Sequence, residues 1–132
     1  MRLFLQINIG DWKEQGYVKP MLSFASSQAD DIIGTDLDNE SDADVVELIK
    51  KLIEQSQGIF LLVYSHHNPQ LPLNRILSLI NELFNHRQKI HLAVLSGEHT
   101  ALEKLLNILE DKFIKNSSDE LIRKMIKQYA LG

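Results

Sequence analysis

The chain has 132 residues, of which 44% are hydrophobic and 24% charged, an ordinary balance for a soluble globular protein and a length that suits one domain. A formal net charge of −4 argues against broad nucleic-acid binding, which needs a basic footprint. The absence of cysteine excludes disulfides, thiolate metal sites and a cysteine nucleophile, and fits the cytoplasm.

The segment "RLFLQINI" alternates strictly. Leu3, Leu5, Ile7 and Ile9 point one way, and Arg2, Phe4, Gln6 and Asn8 the other. This period of two predicts a strand with one face less buried than the other. Gln6 and Asn8 also interrupt any signal-peptide core. The apolar runs "GIFLLVY" and "HLAVL" are far shorter than the roughly twenty residues that span a bilayer, so no membrane association is expected.

Residues 12–39 are the least readable. "YVKPMLSFAS" is either a strand interrupted by Pro20 or a short helix starting there. Asp30, Asp31, Asp36, Asp38, Glu40, Asp42 and Asp44 then follow with no intervening base. A helix comes next, with Val45, Leu48, Ile49, Leu52 and Ile53 on one face and Ser41 as its expected N-cap.

Gly58 stops that helix, and "IFLLVYS" reads as a strand covered on both faces. "PLNRILSLINELFNH" predicts a helix burying Leu73, Ile76, Leu77, Ile80, Leu83 and Phe84, with Pro72 near its first turn. "KIHLAVLS" is another buried strand. "SGEHTALEKLLNILEDKF" reads as one helix with Ala101, Leu102, Leu105, Leu106, Ile108 and Leu109 inward. A last helix opens at Ser117–Ser118 and carries Leu121, Ile122, Met125, Ile126 and Tyr129; its stripe docks on the sheet or on a partner.

Strands separated by helices of this length predict right-handed crossovers in a parallel sheet. The expected architecture is a single three-layer α/β domain over residues 1–132. It has a mostly parallel sheet of three to five strands with helices on both faces, and it loosely resembles flavodoxin-like proteins. An antiparallel strand over residues 17–25 would make the sheet mixed.

In such sheets ligands bind at the carboxyl ends of the strands. Three segments lie there: "NIGDWKEQG", "SHHNPQ" and "SGEHT". They gather Asp11, Trp12, Glu14, Ser65, His66, His67, Asn68, Ser96, Gly97, Glu98, His99 and Thr100 at one edge. Candidate catalytic residues are His66, His67 and His99 as a general base, with Asp11 or Glu98 orienting it. The same imidazoles and carboxylates are the types that ligate a divalent metal. Trp12 and Asn68 are candidate ligand contacts, and Ser96, Gly97 and Thr100 form a candidate anion cradle at a helix start.

From Asp36, "DLDNESDADVVE" places Asp36, Asp38, Glu40, Asp42, Asp44 and Glu47 at positions one, three, five, seven, nine and twelve. Over this stretch only, it resembles the EF-hand calcium loop. Ser41 stands where that loop needs glycine, and an acid-rich helix start explains the same residues. No Walker "GxxxxGK[ST]", no "GxGxxG" and no "GxSxG" occurs.

No cofactor fingerprint and no nucleophile paired with a base emerge. The function expected is therefore a small non-enzymatic interaction or regulatory module, with a protein partner or self-association. A small hydrolase or transferase using the strand-end histidines and carboxylates is the alternative. A metal- or anion-binding domain is the second alternative.

Overall fold

The computed structural model describes residues 1–10, 20–65, 72–73, 75–115 and 118–132. The chain runs β1 (Arg2–Ile9), α1 (Pro20–Ser27), β2 (Ile32–Asp38), α2 (Ala43–Gln55), β3 (Ile59–Ser65) and α3 (Ile76–Asn85). It continues through β4 (Ile90–Gly97), α4 (Thr100–Leu106), β5 (Phe113–Lys115) and α5 (Asp119–Leu131). The strands form one sheet in the order β2-β1-β3-β4-β5, and every neighbouring pair is parallel. That is the doubly wound order of the flavodoxin type.

Two apolar layers sandwich the sheet. Leu3, Leu5, Ile7 and Ile9 of β1 pack with α2, α3 and α4. Phe4, Phe60, Leu62 and Val94 pack with Met21 and Ala25 of α1 and with Ile122, Ile126 and Tyr129 of α5. Phe4 and Phe60 stack with ring centroids 5.5 Å apart. The C-terminal helix thus docks on its own sheet.

The N-terminal edge is tied together by Arg2. Its guanidinium donates twice to the Asp31 carboxylate at 2.8 Å and to the carbonyls of Tyr129 and Ala130 at the end of α5. These bonds hold the Asp31 carboxyl below the usual carboxylate range and Arg2 above its own. The Tyr129 hydroxyl donates to Leu3 O at 3.2 Å, closing α5 onto β1.

Several sequence expectations change. β1 has no half-exposed face: Leu3 through Ile9 are all buried, because a central strand is flanked by β2 and β3 and covered on both sides. Pro20 opens a helix, so α1 occupies most of the span where an antiparallel strand was expected. "IIGTDLD" inside the acidic stretch is β2, an edge strand that the charges concealed. Asp42, not Ser41, caps α2, accepting from Val45 N–H at 3.1 Å.

Most of the expected inward residues of α2 and α3 are buried, among them Ile49, Ile53, Ile76, Ile80 and Leu83, with a few exchanges at the margins. α2 buries Val46, Ile49 and Ile53 and leaves Val45 and Leu48 exposed. α3 buries Leu79 and exposes Leu77; it starts at Ile76, after a turn in which Ile76 N–H donates to Leu73 O.

The long helix expected from Thr100 breaks at Leu106 into a 3₁₀ segment, Asn107–Lys112, followed by β5. Glu110 turns the chain there with φ +56° and ψ −118°, so Ile108 is exposed while Leu109 stays buried. No helix among the described residues is long and apolar enough to cross a membrane.

Candidate functional site

β1 and β3 are neighbours, Ile9 opposite Ser65, yet their chain continuations go to opposite layers. The strand after β1 lies beyond α1, and β3 leads to α3. This reversal opens the crevice in which doubly wound sheets hold ligands. Asp11, Trp12, His66, His67 and Asn68 fall in the segments leaving this point and lie outside the described residues.

The described part of the edge is braced by short hydrogen bonds. Gly10 N–H donates to Asn39 Oδ1 at 3.0 Å, linking the ends of β1 and β2. Ser65 Oγ donates to Glu98 O at 2.6 Å, linking β3 to the turn after β4.

Gly97 faces Ser65 across the β3–β4 pair with φ +91°, and a Cβ built there would sit 2.1 Å from Ser65 O. Only glycine fits that approach. The signal in "SGEHT" is therefore explained first by strand contact.

His99 is buried, and its Nδ1 accepts the Leu102 N–H at 3.2 Å as the N-cap of α4. The imidazole thus occupies one of the donors on which an anion cradle would draw, and α4 is only seven residues long. Glu98 and Thr100 are exposed beside it.

The residues of the acidic stretch are divided among several elements. Asp36 lies in β2, Asp38 ends it, Asp42 caps α2 and Glu47 stands on α2 beside Lys50. Asp38 Oδ1 accepts the Glu40 N–H at 2.8 Å and Ser41 Oγ accepts the Asp38 N–H at 3.0 Å, so Asp38 and Ser41 build a turn. Among the described residues no group of three or more His, Asp or Glu side chains converges to hold a metal ion.

What the sheet does assemble is a polar patch on its α1/α5 face. Strand register places Asp36 beside Gln6, and Asp38, Asn8, Tyr64 and Ser96 in one row. Alternation puts Gln6 and Asn8 on the same side as Phe4. Gln6 is 4% exposed and Asn8 7%. Gln6 Nε2 donates to Asn8 Oδ1 at 3.2 Å, while Gln6 Oε1 is buried with no hydrogen-bond partner among the described residues. The Tyr64 hydroxyl donates to Asp119 Oδ1 at 3.4 Å. Burial, together with the Asp119 charge, pushes it up to about 12.

Of the candidates named from the sequence, Asp36, Asp38 and Ser96 join this patch, in a setting unlike the one foreseen. Gln6, Asn8 and Tyr64 were missed. Their available signal was two amides in an otherwise apolar strand, which alternation alone assigns to solvent. No protein-family model matches the chain, and neither does any curated protein or solved structure.

Proposed function

We propose that the chain is a non-enzymatic regulatory or interaction module that binds a small polar molecule in the crevice between β1 and β3. The Gln6–Asn8 amide pair reads the ligand. The observation that carries this reading is that Gln6 Oε1, buried in the middle of the central strand, has no hydrogen-bond partner among the described residues. A buried acceptor without a donor costs about 1–3 kcal/mol, and an apolar residue would fill the position without that cost. A sequence that keeps two amides there is explained by a ligand that supplies the missing donor.

The neighbouring groups favour the same class of ligand. Asp36 and Asp38 are acceptors when ionised, so the patch suits a molecule rich in N–H or O–H groups. The strand-end polar groups that the structure describes are engaged in bracing loops, which suits a rigid binding platform more than a proton-transfer site. The cysteine-free composition fits a cytoplasmic location. The test is native mass spectrometry after equilibration with the small-molecule fraction of a cell extract. An added mass on the native chain, lost in the Gln6→Leu/Asn8→Leu variant, is expected. Equal retention by both proteins would overturn the proposal.

A further inference from the structure

A second cavity lies at the opposite end of the sheet. It has a volume of about 330 Å³, and its lining includes Arg2, Gln57, Gln88, Lys89, His91 and Lys112. That volume is at the lower end of the range for small-molecule sites. No Asp or Glu side chain is among its described lining residues, and the one acidic group there is the backbone carboxylate of Gly132. We propose that this groove is an anion site for a small phosphate-bearing molecule, independent of the crevice at the other edge.

The cations there differ in what already holds them. Arg2 is paired with Asp31 and so contributes little net charge. Lys89 Nζ donates to Ile53 O and Glu54 O at the end of α2. These partners are carbonyls, so the ammonium charge has no carboxylate against it among the described residues. Lys112 makes no ion pair or side-chain hydrogen bond there either. It follows Glu110, whose φ of +56° breaks the helical path two residues before it.

His91 is exposed, and its ring lies 5.3 Å from that of Tyr129. It adds ring nitrogens on one wall and an aromatic surface on which a phosphorylated ligand can rest. Lys89 and Lys112 thus supply ammonium groups with no carboxylate partner among the described residues, and Gln57 and Gln88 supply amide donors. Lys112 and Gln88 also line an adjoining hollow together with Glu110 and Asp111, so the anion is placed on the Lys89–His91 side.

The experiment is a titration of the ¹⁵N-labelled chain with inorganic diphosphate, against sodium chloride at equal ionic strength. Saturable amide shifts are expected at Gln57, Gly58, Ile90 and His91. Lys112→Glu should weaken the apparent affinity about tenfold or more, the scale of a lost charged hydrogen bond. Lys51→Glu, the same charge change on an exposed residue of α2, should leave it unchanged. Absence of saturable shifts at the groove, or equal weakening by both variants, would overturn the proposal.

Discussion

Replacing Gly97 by alanine separates the two roles open to the turn after β4. The native φ of +91° is left-handed backbone that costs an L-residue about 1–2 kcal/mol. The added Cβ would also meet Ser65 O at 2.1 Å, and both groups belong to paired backbone. Relief therefore requires β3 and β4 to separate by most of an ångström at their carboxyl ends. We take that as a further ~2 kcal/mol, within the scale of strain at special backbone positions, for a total of about 3–4 kcal/mol.

Unfolding entropy of about 2.1 cal/mol/K per residue converts this into a Tm loss of roughly 11–14 °C for a domain of this length. Differential scanning calorimetry on the native and Gly97→Ala chains measures it. Gly34→Ala is the control: its Cβ would meet Leu22 Cδ1 at 3.0 Å and Leu22 O at 3.2 Å, which a small shift of α1 relieves, and a Tm change within about 4 °C is expected. A Gly97→Ala loss below about 4 °C would refute the reasoning, because neither the backbone conformation nor the close approach would then be needed.

Three other predictions rest on separate observations. His99→Ala removes the cap on Leu102 N–H and should lower stability by about 1–2 kcal/mol, with His99→Asn recovering part of it; equal losses in chemical denaturation would remove the capping role. Glu110→Gly relieves the positive φ of +56° and should raise stability by about 1 kcal/mol; a lower denaturation midpoint would contradict this. Tyr129 titrates at about 12, raised chiefly by burial, above its unfolded value near 10. The folded state therefore holds this proton more tightly, and the linked stability is intact below pH 10 and lost as pH rises toward 12. Tyr129→Phe should make that alkaline limb shallower, with Tyr64 supplying the remainder, and an unchanged limb would show that Tyr129 does not contribute.

The parts of the fold legible in the sequence are those whose burial is decided locally. "IFLLVYS" and "KIHLAVLS" are continuous apolar runs because both faces of β3 and β4 are covered, and α5 carries its stripe at regular helical spacing. β2 was hidden because an edge strand tolerates Asp36 and Asp38, whose charges also protect an exposed edge from pairing with other chains. β5 has only three residues, too few for a periodic signal.

The candidate site was harder to read for a related reason. Alternation in "RLFLQINI" separates two faces but does not say whether either meets water. That is settled by β2 and β3 lying on either side of β1 and by α1 and α5 lying across it. Gln6 and Asn8 become informative only once that long-range packing buries them. In "SGEHT", whose sequence suggests an anion cradle, the structure shows Gly97 constrained by the Ser65 carbonyl instead.

The central claim is that the Gln6–Asn8 pair is kept for binding at some expense of stability. The most direct measurement is the thermal unfolding of the Gln6→Leu/Asn8→Leu chain without added ligand. Exchanging both hydrogen-bond partners for apolar groups of similar size is neutral or stabilising. The account predicts a Tm equal to that of the native chain or up to about 4 °C higher. A Tm lower by several degrees would contradict it and make the pair a structural part of the core.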